Sequence, residues 1–206
     1  MTRILWLLLA AAAAAFQPLA AQAQQDARDT VVATFAGGCF WCVEEAFDAV
    51  NGVTATVSGY IGGHVPNPTY EQVTRGTTGH FEAVEVRYDP AVVSYAELLD
   101  VFWRNIDPLD AGGQFCDRGE QYLSAIFYHD DEQRELAERS KRELQERASL
   151  PGDIVTQIVA AMEFYPAEDY HQDYYRRNAL RYNFYKFTCG RPDRLEELSR
   201  RRSRAR

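Results

Sequence analysis

The stretch "TFAGGCFWCVEEAF", residues 34–47, limits what this chain can become. The apolar run that includes Val31, Val32, Ala33, Phe35 and Ala36 reads as a buried strand, and it ends on Gly37-Gly38. From Cys39 to Val50 the pattern turns helical. A strand that turns through two glycines straight into a helix is a β-α junction, so a sheet with helices on it is required. The first residue after the turn is a thiol. The unpaired N–H groups and macrodipole of a helix N-terminus favour the thiolate form. Cys39 therefore stands where a nucleophile would be activated, and Cys42 lies one turn further in. Cysteines also occur at 116 and 189. From spacing alone three uses of these thiols stay open: structural disulfides among the four, a C-x-x-C redox pair, or a metal site. The metal reading is the weakest. Cys116 and Cys189 are far apart in sequence, and His64, His80, His129 and His171 fall in no ligand spacing.

With 206 residues, 46% of them apolar and 13% aromatic, the chain has material for one core without disulfide staples. Its start, "MTRILWLLLAAAAAAFQPLAAQAQQ", combines a basic residue, an apolar run too short to span a bilayer, and Ala21-Gln22-Ala23. This predicts a signal peptide over residues 1–23 and an exported, periplasmic protein in an oxidising compartment. One catalytic domain is expected over 24–198. A basic, disordered tail is expected over 199–206, where five arginines gather. The formal net charge of −8, concentrated outside that tail, argues against nucleic acid as a partner. A monomer with no stable membrane insertion is expected.

Further along, "GVTATVSGYIGG" reads as a second strand and residues 63–80 as an ordered loop with a short helical piece. "FEAVEVRYD" alternates as a strand. Ser94 with Glu97 three residues on forms a capping box, followed by Leu98, Leu99, Phe102, Trp103 and Ile106 at helical spacing. "DPLDAGGQFCDRGEQ" reads as a long loop and "YLSAIFYH" as a strand. Residues 130–148 form a charged surface helix, "IVTQIVAAMEFYPAED" a further strand, and "YHQDYYRRN" a short helix before a long irregular C-terminal segment. The class is α+β: a two-layer sandwich with a central mixed β-sheet.

Four blocks carry a resemblance. "GGCFWCVEEAF", "PTYEQVTRGTTGHFEAVEVRYDP", "DRGEQYLSAIFY" and "YNFYKFTCGRPDR" occur in the order of the corresponding blocks of the peptide methionine sulfoxide reductase A family, across about 150 residues. The resemblance implies a mixed-sheet sandwich with a ferredoxin-like core. It also implies reduction of the S epimer of methionine sulfoxide, free or in oxidised proteins and peptides. No bound cofactor or metal is implied. A thioredoxin-like dithiol protein would supply electrons.

The same resemblance assigns roles. Cys39 is the nucleophile and Glu82 the catalytic acid, its pKa raised by apolar neighbours. Tyr70 and Tyr122 hydrogen-bond the sulfoxide oxygen, and Asp117 faces the substrate. Phe40 and Trp41 form the pocket for the substrate's methyl group. Cys189 is the resolving cysteine that forms a bridge with Cys39 after turnover. Leu123 stands where the family commonly has arginine. Cys42 stands where it often has glycine and is expected to be a buried structural thiol. The resemblance transfers no role to Cys116, which is read either as a second relay thiol or as an exposed liability. Two rivals remain at this stage: a thiol-disulfide oxidoreductase using Cys39 and Cys42, and a binding module for oxidised peptides.

Overall fold

The computed structural model of the chain describes residues 31–148 and 150–203. The expected signal peptide, residues 1–23, lies outside them. Strand β1 (Val31–Gly37) is buried from Ala33 onward, as expected of a central strand covered on both faces. Its partners are β3 (Phe81–Tyr88) and β6 (Ser124–Tyr128), both antiparallel, with Phe35 opposite Val84 and Ile126. Beyond β3 lies β2 (Val53–Ile61), and β8 (Tyr165–Pro166) forms that edge. Beyond β6 lies β7 (Gln157–Ala160), the parallel pair that makes the sheet mixed. The order is β7-β6-β1-β3-β2-β8. The single strand expected over 154–169 is thus two short strands on opposite edges. The long loop after Ile106 contains a small ribbon, β4 (Gly113–Gln114) with β5 (Asp117–Arg118), and a 3-10 turn, Glu120–Tyr122.

One face of the sheet is covered by α1 (Phe40–Asp48), α3 (Tyr95–Arg104) and α4 (Asp131–Arg147). A single-turn helix α2 (Tyr70–Thr74) lies in the 63–80 loop. The Ser94–Glu97 capping box forms as its sequence predicts, and α3 buries Leu98, Leu99 and Phe102. Phe35 stacks on Phe47 at 4.7 Å and on Phe102 at 5.2 Å, joining β1 to both helices. Burying each such side chain contributes roughly 1.5–3 kcal/mol. The other face carries Ala36, Ile61, Ala83, Ala125 and Phe127 beneath Phe164. Alternation along β3 sends Glu82, Val84 and Val86 to the helix-covered side. A glutamate is thereby carried into the core.

The C-terminal segment corrects the expectation of irregular structure. The short helix expected over 170–178 forms as α5 (Tyr174–Arg177), and the residues after it fold as α6 (Ala179–Thr188) and α7 (Arg191–Ser203). The expected disordered tail is helical as far as Ser203, and residues 204–206 lie outside the described part. The arginine run reads as a solvated terminus only when taken alone. Set against "EEL" it forms an i,i+4 ladder, Glu196–Arg200 at 3.2 Å and Glu197–Arg201 at 2.9 Å. Leu198 is buried beneath it, and Arg194 binds Asp107 at 2.7 Å. No helix among the described residues is long and apolar enough to cross a membrane.

Candidate active site

At the end of β1 the chain turns on Gly38, whose φ is +81°. A side chain there meets two obstacles. The conformation is strained for any L residue, and its Cβ would stand 2.5 Å from Cβ of Gln114. Gln114 exchanges two 2.8 Å hydrogen bonds with the Asp107 backbone, so the neighbour is fixed. Gly38→Ala is expected to cost about 1–3 kcal/mol. For a chain of this size that lowers Tm by about 2–4 °C per kcal/mol, measurable by thermal unfolding. The same close contact seats the 113–118 ribbon beside the first turn of α1.

Cys39 occupies the N-cap of α1 and is only 6% exposed. The next backbone N–H, of Phe40, donates to Glu82 Oε2 at 3.1 Å, which sets the acid beside the thiol. Glu82 pairs in register with Tyr60 of β2, and the Tyr60 hydroxyl donates to Glu168 at 2.9 Å. The other Glu168 oxygen accepts the Tyr70 N–H at 2.9 Å, so one carboxylate fixes the start of α2 and with it Tyr70. Tyr122 ends the 3-10 turn, where neighbouring Gln121 donates to the Thr74 carbonyl at 3.1 Å and draws the two tyrosine-bearing segments together. Trp41 stacks on Tyr174 with centroids 3.8 Å apart, and its indole N–H donates to His171 Nδ1 at 3.1 Å.

These segments converge on one cavity of about 90 Å³ lined by Cys39, Phe40, Trp41, Tyr70, Glu82, Asp117, Tyr122 and Tyr185. Seven of the eight residues singled out from the sequence are in that lining; Cys189 is not. The residue that sequence reasoning missed is Tyr185, whose hydroxyl donates to Asp117 and whose ring meets Trp41 edge-on at 6.0 Å. A signal was present. Tyr182, Tyr185 and Cys189 stand at i, i+3 and i+7, one face of a helix, in a segment read as irregular.

Burial pushes the Glu82 carboxyl up to about 8, with Asp117 and Cys42 adding to the rise and the Phe40 N–H opposing it. At neutral pH it is a carboxylic acid with a proton to give. Burial also raises Asp117, although Tyr185, Arg191 and Arg118 oppose the rise. Two of the three pocket tyrosines, Tyr70 and Tyr122, are raised chiefly by burial and then by Glu82, and they remain O–H donors. Cys39 departs from expectation. Burial pushes its thiol up, as do the sulfur of Cys42 and the acids Glu82 and Asp117. The N-cap position does not overcome these, so the resting form is the thiol rather than the expected thiolate.

Cys42 is buried, as expected, but it is not a bystander. Neighbouring Cys39 is the main influence lowering its pKa to about 6, burial opposes it, and Arg191, Tyr182 and Lys186 favour its ionised form further. The other two cysteines form a disulfide, Cys116–Cys189. In this structure Cys189 is therefore joined to Cys116 and not to Cys39. The bridge lies beside Asp117, with the two sulfurs and a carboxylate oxygen within 4.8 Å of one another. Sulfurs bonded to each other offer no thiolate to a cation, so this cluster is not a metal centre.

A pocket with a thiol, a protonated acid, three phenols of which Tyr185 is spent on Asp117, and an aromatic wall is equipped to attack a polarised, weakly electrophilic centre while protonating the atom bound to it. The family profile described as Peptide methionine sulfoxide reductase matches residues 31–203. The chain belongs to the peptide methionine sulfoxide reductase family. It is 52% identical over 166 residues to the peptide methionine sulfoxide reductase MsrA of Bacillus licheniformis, covering 81% of this chain and 92% of that relative. Among solved structures it is similar to Mxr1 from Saccharomyces cerevisiae in reduced form, with a TM-score of 0.69 and 32% identity over 74% of this chain and 87% of that one. It is also similar to Mxr1 in complex with Trx2, with a TM-score of 0.51 and 26% identity over 71% and 86% of the two chains. The mixed-sheet α+β class read from the sequence is the fold of this family.

Proposed function

We propose that the chain reduces the S epimer of methionine sulfoxide, free and in oxidised peptides, and that the eight-residue cavity is where it does so. The observation that carries the reading is the buried carboxyl of Glu82, held by the Phe40 N–H beside the Cys39 thiol and raised to about 8. A sulfoxide sulfur resists nucleophiles until its oxygen is protonated or strongly hydrogen-bonded, and this cavity supplies the proton and the phenolic donors together. Cys39 attacks the sulfur as Glu82 protonates the oxygen, and the thiol proton returns to Glu82. The hydroxyl then passes from the substrate sulfur to the Cys39 sulfur as the bond between the two sulfurs breaks, so the thioether leaves with that electron pair and Cys39 is left as a sulfenic acid. Phe40 and Trp41 receive the methyl group, which turns one epimer's oxygen towards Glu82, Tyr70 and Tyr122.

The sulfenic acid then condenses with a thiol, releasing water. We assign that step to Cys189, with Cys116 taking over the bond and freeing Cys39. The Cys116–Cys189 bridge is then the oxidised end of the cycle. Cys39 and Cys42 are 6% and 3% exposed, whereas Cys116 is exposed, so a dithiol protein reaches the outer bridge and not the inner pair. The Mxr1–Trx2 complex supports a thioredoxin-type donor. The character of residues 1–23 supports exported proteins as the substrates.

The free thiol of Cys42, one turn from Cys39 and lowered by it to about 6, favours a second reading in which Cys42 resolves the sulfenic acid. Cysteine-to-serine variants separate the two. With a thioredoxin-type donor alone, Cys189→Ser is expected to release about one methionine per chain and stall, while Cys42→Ser continues to turn over. The opposite ordering assigns resolution to Cys42. The function itself is tested by supplying the separate epimers with dithiothreitol and measuring methionine. The S form is expected to be consumed and the R form spared; an untouched S form ends the proposal.

A further inference from the structure

His171 lines no part of the cavity, yet it touches three residues that do. It is 2% exposed and lies in the loop between β8 and α5, where its backbone N–H closes a turn on the Glu168 carbonyl at 2.8 Å. Its ring centroid is 4.4 Å from that of Tyr70, 4.9 Å from Phe40 and 5.7 Å from Trp41, and Tyr170 packs on it at 4.2 Å. The Trp41 indole N–H donates to Nδ1 at 3.1 Å, which fixes Nδ1 as the bare nitrogen and puts the ring proton on Nε2. Nε2 is buried with no hydrogen-bond partner among the described residues. Burial among rings holds the imidazole below its ordinary range, so it stays a neutral acceptor.

Stacking alone does not hold an indole in place. The 3.8 Å contact with Tyr174 fixes the plane of Trp41, but parallel rings slide and the indole can flip within that plane. An acceptor in the plane selects one flip and one offset, and His171 is that acceptor. We infer that His171 is a positioning residue for specificity: through the Trp41 N–H it sets which edge of the indole meets the substrate's methyl group, while its ring backs Phe40 and Tyr70. An orphaned buried N–H on one nitrogen is tolerated because the other nitrogen must remain an acceptor. The inference rests on reading the cavity as the sulfoxide site.

The test separates the two claims. In the unmodified chain without substrate, nitrogen NMR is expected to show Nδ1 of His171 as an unprotonated acceptor coupled to the Trp41 indole N–H. A protonated Nδ1 overturns the inference, whatever the activity. For His171→Phe, KM for the S-sulfoxide is expected to rise about tenfold while kcat stays within about threefold, since a binding wall is displaced and no proton donor is lost. His171→Asn, which restores an acceptor oxygen, is expected to recover most of the KM. In a Trp41→Phe background, which has no indole N–H, His171→Phe should add no further rise. An equal rise in both backgrounds makes His171 merely structural and overturns the inference. If instead the unmodified enzyme leaves the S-sulfoxide untouched, the proposed function fails and the NMR result still stands or falls alone.

Discussion

Glu82→Gln is expected to lower kcat/KM by about 10²–10⁴-fold with little change in substrate affinity. Glutamine keeps the shape of the side chain and an oxygen to accept the Phe40 N–H, but it has no proton to transfer. The pH profile should change with it. Because burial raises Glu82 to about 8, the acid is present below that pH and disappears above it. Unmodified enzyme should lose activity about tenfold per pH unit above 8, and the variant should lack this alkaline limb. Stability gives an independent check with a definite sign. Between the ordinary value of 4.5 and about 8 the folded chain binds more protons at this site than the unfolded chain. Rising pH therefore destabilises the fold by about 1.4 kcal/mol per unit through that window and no further above it. Glu82→Gln removes this loss, so at pH 8 the inactive variant should unfold no earlier than the unmodified chain. A variant that is fully active has no role for this acid, and one that is inactive because it is unfolded says nothing in favour of the proton.

Cys39→Ser is expected to abolish reduction outright. A serine hydroxyl is a far weaker nucleophile towards sulfur, and no other thiol lines the cavity to replace it. Cys42 is the nearest thiol, but it lies one turn inside α1 and is 3% exposed. The loss should survive added dithiothreitol, which separates Cys39 from the cysteines that only restore it. Residual methionine formation above the uncatalysed rate would place the attack on Cys42 or elsewhere.

The local features of the fold were legible where one short stretch settles them. The β-α junction at Gly37-Gly38, the capping box at Ser94 and the alternation of β3 each follow from local rules that the tertiary structure then obeys. Of the seven pocket residues found from the sequence, Cys39 is legible from its place at the helix mouth; the other six are legible only because their blocks carry a family resemblance. From pattern alone Glu82 looks like a solvent-facing strand glutamate, since alternation does not say which face the helices will cover. What stayed hidden depends on distant contacts. The helices after Asn178 are held by Leu198 burial and by arginines reaching Asn105 and Asp107, none of which is visible within the segment. Reading that segment as irregular concealed the helical spacing of Tyr182, Tyr185 and Cys189. The pairing of Cys116 with Cys189 spans 73 positions, and spacing rules cannot choose it. The protonation of Cys39 does not follow from the helix terminus alone, because the fold buries the thiol and brings Cys42, then Glu82 and Asp117, beside it.

In the proposed reaction Cys39 receives the oxygen of the sulfoxide after a neutral Glu82 has protonated it. It is tested most directly by trapping. A chain with Cys42, Cys116 and Cys189 replaced by serine is mixed with methionine-S-sulfoxide and a sulfenic-acid-specific diketone, without reductant, and then mapped by mass spectrometry. One adduct is expected, on Cys39, formed in step with the methionine released. Methionine released with Cys39 left unlabelled and unoxidised would contradict it.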